Sequence, residues 1–309
     1  MQTPYPTVSI VTRVCEPELP YLSAFIEHHQ KVGVSSFHLI IQQGDLEGKI
    51  RDLCRTAEVE LHIYLMDGNL IPNRCLAAFQ FKRIKTEYTF LVDVDEFFYS
   101  PVHQTIPAAL VSLGRPDWIF PFWIMAPSDF NSGDRQAGFL GHIGKHIART
   151  RLIKGLISPH TFKMKGKKRL NDETQFLYQP NDCFVIHYWG RTFKDCLLKM
   201  VMHQGMSKSK QTGIDALLRL SDDSKCANRL KLLAFLTTHP RYMTVPDLLD
   251  GKIDYQLEQS LLDGFLDNEQ VSVIETIYLK YKSLIEKRDN PVVYPGKGEL
   301  RHILEFLPD

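Results

Sequence analysis

From residue 8 to residue 92, short β-branched and apolar runs alternate with stretches in which apolar residues recur every three or four positions. Consecutive βαβ units with a parallel sheet announce themselves in this way. Val8 to Thr12 predicts a first strand. Pro20 then opens a helix with Leu22, Phe25, Ile26 and His29 on one face, ending near Gly33. Phe37 to Ile41, Val59 to Tyr64 and Tyr88 to Val92 predict three more strands, separated by helices over Leu46 to Thr56 and Pro72 to Lys85. After Ser100 the rhythm changes. Trp118 to Ile124 predicts a buried strand, and a Gly-, Asp-, Asn- and Ser-rich stretch and a basic stretch then read as functional loops. Cys183 to Tyr188 predicts another strand, followed by a helix from Phe193 to His203. From Thr212 onward Leu and Ile recur at helical spacing, which predicts a helical extension. The expected organisation is a catalytic domain over 1–205, with a nucleotide-binding half (1–100) and an acceptor half (101–205), and a helical extension over 206–309.

Composition narrows the classes of partner. The 309 residues are 44% hydrophobic, enough for a sizeable core, and their formal net charge of +1 supplies no global field for nucleic acid or an anionic membrane. Six scattered cysteines with no two-residue spacing argue against a zinc knuckle or a dithiol redox site, and predict reduced thiols in a cytoplasmic protein. No apolar run is long enough for a leader or a transmembrane segment, so a membrane-borne substrate would be met by peripheral association.

Ligands of open α/β sheets bind beyond the carboxyl ends of the strands. The residues in those places are Arg13, Glu16, Gly44, Asp45, Asp67 and the acidic run at 93–96. An Asp after a strand is also an ordinary turn former, the reading preferred for Asp67. Asp93 and Asp95 differ, because they sit between Phe90-Leu91-Val92 and Phe97-Phe98-Tyr99, at the edge of a core. Carboxylates held together there call for a cation. Side chains two apart on an extended segment point to one side. Hard oxygen donors suit Mg2+ or Mn2+, whose shell a substrate diphosphate commonly completes.

The run Leu-Val-Asp93-Val-Asp95-Glu96-Phe-Phe resembles the signature of family-2-like and family-92 glycosyltransferases. Three further stretches agree with it in unbroken order over residues 8–205: Glu16 through the helix ending in Gly33, the Lys145 to His160 segment, and His187-Tyr188-Trp-Gly-Arg191-Thr-Phe193. Two places depart from the pattern, Val14-Cys15-Glu16 where members usually show Lys-Asn-Glu, and the loop at 126–133. The resemblance implies an α/β GT-A fold, a Rossmann-like mixed sheet. It also implies a nucleotide-sugar donor, a UDP-sugar, and a glycan, lipid-linked or other hydroxyl acceptor, as in polysaccharide biosynthesis. It makes Asp95 a metal ligand, Asp93 a contact to the ribose or to the metal through water, and His187 a ligand from the second half of the site. Arg13, Glu16 and Asp45 then lie where the nucleotide sits, and Arg74 and Lys145 could reach its phosphates. Each has a plainer reading: a core histidine for His187, solvated charges for Arg74 and for the Lys145, Arg149 and Arg151 face.

Inversion requires a base that takes the acceptor's proton, and Asp172, Glu173 and Asp129 are the candidates. The alternatives are a haloacid-dehalogenase-like phosphohydrolase, which also carries Asp-X-Asp after a strand, and a non-catalytic nucleotide-binding scaffold.

Overall fold

The computed structural model describes residues 5–55, 57–68, 72–126, 131–132, 135–166, 182–188, 193–205, 230, 233–234 and 243–286. Two compact units share the chain, one made of 1–124 and 143–187 and the other of 125–142 and 188–309. The segment 125–142 and the helix at 193 therefore group with the C-terminal residues, whereas the sequence pattern put that boundary at 205.

The first unit holds a mixed six-stranded sheet in the order β3-β2-β1-β4-β10-β6, a Rossmann-like α/β arrangement. Its strands are β1 (Val8–Arg13), β2 (Val34–Ile41), β3 (Glu60–Leu65), β4 (Tyr88–Leu91), β6 (Trp118–Ile119) and β10 (Ile147–Arg149). β1 runs parallel to β2 and β4, and β2 to β3, while β10 is antiparallel to both β4 and β6. Helices α1 (Leu19–Lys31), α2 (Asp45–Leu53) and α3 (Pro72–Ala78) are the crossovers. Strand order reverses between β1 and β4, and that is where an open α/β sheet leaves a crevice at its carboxyl edge.

Period two along β1 sends alternate side chains to opposite layers. Val11 joins Ile40, Leu91, Leu76, Phe79, Phe81 and Phe162 in one apolar cluster. On the other face α1 packs against β2 and β5 (Glu96–Tyr99), with Phe25 edge-on to Phe37 and Phe97. α1 is also clamped to β5 by polar bonds. Nε2 of His28 pairs with the Phe98 carbonyl at 2.8 Å, and His29 Nδ1 with the Phe25 carbonyl at 2.9 Å, while His29 Nε2 accepts from the Phe98 N–H at 3.4 Å. Burial pushes the His29 pKa well down, aided by His28, which keeps the ring neutral. Thr105 caps α4 (Ile106–Ser112) by accepting from the Ala108 N–H at 3.2 Å, a bond worth about 1 kcal/mol.

Two expected elements are divided. The strand over Trp118 to Ile124 is β6 plus β7 (Phe122–Met125), because Pro121 between them has no N–H for a ladder. The helix expected to reach Lys85 stops at Ala78 and resumes as one 3-10 turn, Phe81–Arg83, after Gln80 leaves helical geometry at ψ 89°. The first unit also contains the hairpin β11 (Ile153–Ser158) and β12 (Thr161–Met164), and β13 (Phe184–His187), antiparallel to β5.

In the second unit β9 (Arg135–Gly144, its last two residues counted with the first unit) is flanked antiparallel by β8 (Asn131–Ser132) and β14 (Met243–Pro246). Among the described residues of this unit, helices run over Phe193–Gly205, Tyr255–Asp263 and Asn268–Glu286. Among the described residues no helix is long and apolar enough to cross a membrane, and Cys15, Cys54, Cys75, Cys183 and Cys196 are free thiols.

Candidate metal centre

The acidic run leaves β4 at the switch point. Between β4 and β5 the chain makes a tight turn, closed by the Glu96 N–H on the Asp93 carbonyl at 3.1 Å and by the Asp93 N–H on Glu96 Oε2 at 2.7 Å. Residues 93–95 are therefore not extended, and the two aspartates take different partners. Asp93 goes to Lys145, whose Nζ lies 2.5 Å from its Oδ2. Asp95 goes to His187, whose Nε2 lies 3.4 Å from its Oδ2.

His187 arrives by strand register. β13 pairs with β5 so that His187 opposes Glu96, and directly opposed residues of an antiparallel pair share a face. Asp95, Glu96 and His187 are all buried, and each offers a ligand atom within 4.8 Å of the other two. Glu96 Oε1 and His187 Nδ1 are buried without a hydrogen-bond partner. Buried polar atoms are nearly always satisfied in a folded protein, so the unmatched Glu96 oxygen points to a missing partner. Two carboxylates and an imidazole suit a divalent ion tolerant of mixed oxygen and nitrogen donors, such as Mn2+, better than one demanding oxygen alone. The residues present fit the ion expected from the sequence.

Cations surround the acids. Lys145 is 0% exposed and also contacts Glu96 Oε2 at 3.2 Å and the Pro159 carbonyl at 3.2 Å. It is placed by Gly144, where a Cβ would stand 1.9 Å from the Pro121 carbonyl oxygen, so only glycine lets the backbone through; the Lys145 N–H then bonds that carbonyl at 3.1 Å. Burial would raise the Asp93 pKa, but the Lys145 ammonium and the Arg13 guanidinium outweigh it and hold the carboxyl below its usual value. Burial dominates at Glu96, whose pKa rises to about 7 although Lys145 opposes the shift. At the end of β1, burial raises Glu18 to about 8 against the pull of Arg13, and Glu18 accepts the Cys15 N–H at 2.7 Å. Arg13 feels Asp93, Glu18 and Asp95 together, which keeps it charged despite its burial.

An aromatic wall completes the surroundings. The Trp123 ring centroid lies 4.4 Å from that of His187 and 5.0 Å from that of His160, and Lys145 Nζ lies 5.8 Å from it.

Arg13, Asp93, Asp95, Lys145 and His187 are thus brought together from separate parts of the sequence. Glu16, Asp45 and Arg74 make none of these contacts: Glu16 pairs with Lys49 at 2.8 Å, and Asp45 and Arg74 are exposed. Asp129, Asp172 and Glu173 lie outside the described residues. Glu18, Glu96, Trp123 and His160 gain roles that sequence reasoning did not assign. The legible signal was Glu96, an acid opening a strand beside two others; the rest depend on strand register.

No protein-family model and no curated protein matches the chain. Among solved structures it is similar to S. aureus TarS 1–349 in complex with UDP, at 10% identity over 91% of this chain and 90% of that one, with a TM-score of 0.38. It is also similar to the mannosyltransferase PcManGT from Pyrobaculum calidifontis in complex with GDP-Man and Mn2+, at 11% identity over 93% and 89%, TM-score 0.40. Likenesses this distant add no weight to what the topology and the centre themselves show.

Proposed function

We propose that this chain is a divalent-metal-dependent glycosyltransferase of GT-A type, moving a sugar from a UDP-sugar to a hydroxyl acceptor with inversion. One observation carries the reading: Asp95, Glu96 and His187 converge into a cation-sized, buried cluster at the β1–β4 switch point, where α/β sheets receive nucleotides.

The residues divide the work. Asp95, Glu96 and His187 hold the ion. A bound divalent ion would stabilise the negative charge that develops on a departing nucleoside diphosphate. Arg13, at the same strand edge and kept charged by its acidic neighbours, serves as a second positive group toward the diphosphate. Asp93, fixed by Lys145, lines the nucleotide side. The proton of the acceptor hydroxyl goes to a carboxylate, for which Asp129, Asp172 and Glu173 remain the candidates. The Trp123 and His160 rings keep bulk water from one side of the centre, which strengthens the electrostatic interactions inside it.

Thermal-shift titration with Mn2+ and UDP tests this, followed by a metal-supplemented panel of nucleotide sugars. Mn2+-dependent stabilisation by UDP and turnover of a UDP-sugar are expected. No response to any nucleoside diphosphate under any metal condition would remove the reading, and hydrolysis of a generic aryl phosphate would favour the phosphohydrolase instead.

A further inference from the structure

A lysine with no exposed surface is costly to bury unless every charge and donor is matched. At Lys145 they are. An ammonium has three N–H donors, and Nζ has three acceptors: Asp93 Oδ2 at 2.5 Å, Glu96 Oε2 at 3.2 Å and the Pro159 carbonyl at 3.2 Å. No donor is left over for a substrate phosphate. The same arrangement divides Glu96. Its Oε2 is taken by Lys145 and by the Asp93 N–H, whereas Oε1 is buried with no partner and belongs to the residue that forms a cluster with Asp95 and His187.

We propose that Lys145 is a built-in cation that neutralises Asp93 and one oxygen of Glu96, limiting the centre to a single divalent ion on the Asp95 and His187 side and keeping Asp93 out of its coordination. This rests on reading the centre as a divalent-ion site. Without Lys145, Asp93 and Glu96 lose the positive charge that lies against them, and a purely structural lysine and a built-in cation then predict opposite effects on metal affinity. Loss of a structural prop loosens the centre and weakens binding, whereas loss of a competing charge tightens it.

The test is Mn2+ binding to the full chain, followed by calorimetry and by the electron-spin signal of free Mn2+. Wild type binds one ion. Lys145→Met is expected to bind Mn2+ roughly tenfold or more tightly, or to take up a second ion, and Lys145→Met with Asp93→Asn to return to one ion near wild-type affinity. A Lys145→Met chain that melts cooperatively yet binds one ion no more tightly than wild type overturns the proposal. Should that variant fail to fold, Asp93→Asn decides: it loses less Mn2+ affinity than Asp95→Asn if Asp93 is not a ligand, and an equal or greater loss overturns the proposal. Absence of Mn2+ binding by wild type would remove the metal-site reading itself, and this inference with it.

Discussion

Nε2 of His187 stands 3.4 Å from Oδ2 of Asp95, although the two residues are far apart in the sequence. Their meeting depends on the β5–β13 ladder, in which His187 opposes Glu96. A slip of one residue would turn the imidazole to the other face of the sheet. The centre is therefore a product of register, and perturbing its ligands separates binding from folding.

Asp95→Asn removes a negative charge from a cluster of mutually repelling acids. Its metal-free stability should match or exceed that of wild type. The Mn2+-dependent stabilisation by UDP should fall by a factor of at least about ten in apparent affinity. Thermal melts with and without Mn2+ and UDP read both, and a variant with unchanged manganese dependence would count against the assignment of Asp95.

Gly144→Ala places a methyl carbon 1.9 Å from the Pro121 carbonyl oxygen, and the obstacle is backbone that cannot swing aside. A destabilisation of about 3 kcal/mol or more is expected in urea unfolding. Manganese binding should change as well, since Lys145 is the next residue along. A loss below about 1 kcal/mol would show that the close approach is not required.

Arg149 belongs to the same basic face as Lys145 and was read as a solvated charge, yet its guanidinium is engaged within the fold. It bonds Glu87 at 2.8 Å and the Arg115 carbonyl at 2.7 Å, and lies 5.1 Å from the Tyr88 ring centroid. Arg149→Met should cost about 1–2 kcal/mol of stability and leave nucleotide affinity unaltered. Loss of UDP binding at temperatures well below the melt would give Arg149 a site role after all.

Acid should destabilise the chain through His146. Burial pushes its pKa from 6.5 down to about 3, and its Nδ1 accepts the Phe162 N–H at 3.0 Å, which requires the neutral ring. The unfolded chain therefore takes up the proton first as pH falls. The stability tied to neutral His146 is whole above about pH 6.5 and is lost progressively toward pH 3. His38, lowered to about 4 by burial and by His62, acts with the same sign over a narrower range. His146→Gln keeps an acceptor for Phe162 without the titration, so its melting temperature should fall less between pH 7 and pH 4. Parallel slopes for variant and wild type would refute this.

Much of the first unit was legible before any coordinates. Strands β1 to β4 and the first two crossover helices fall within a few residues of their expected places, because hydrophobic period and the Pro and Gly punctuation are local properties. The acids at 93 and 95 were legible for the same reason, as charges beside a buried strand. The idea that both carboxylates point into one pocket was a local argument too, and it assumed extended backbone. The hydrogen bonds between Asp93 and Glu96 make a turn there instead, and a turn is stabilised by partners that alternation does not reveal.

By itself the sequence determined a βαβ succession ending in a run of acids at a strand's carboxyl end, since periodicity and residue chemistry are carried in neighbouring positions. Only the tertiary structure decided which acids share a centre. Glu96 joins Asp95 through its pairing with His187, Asp93 pairs with Lys145, and Arg149 turns to Glu87. These are choices between partners far apart in the chain, made by strand register and by the need to match every buried charge.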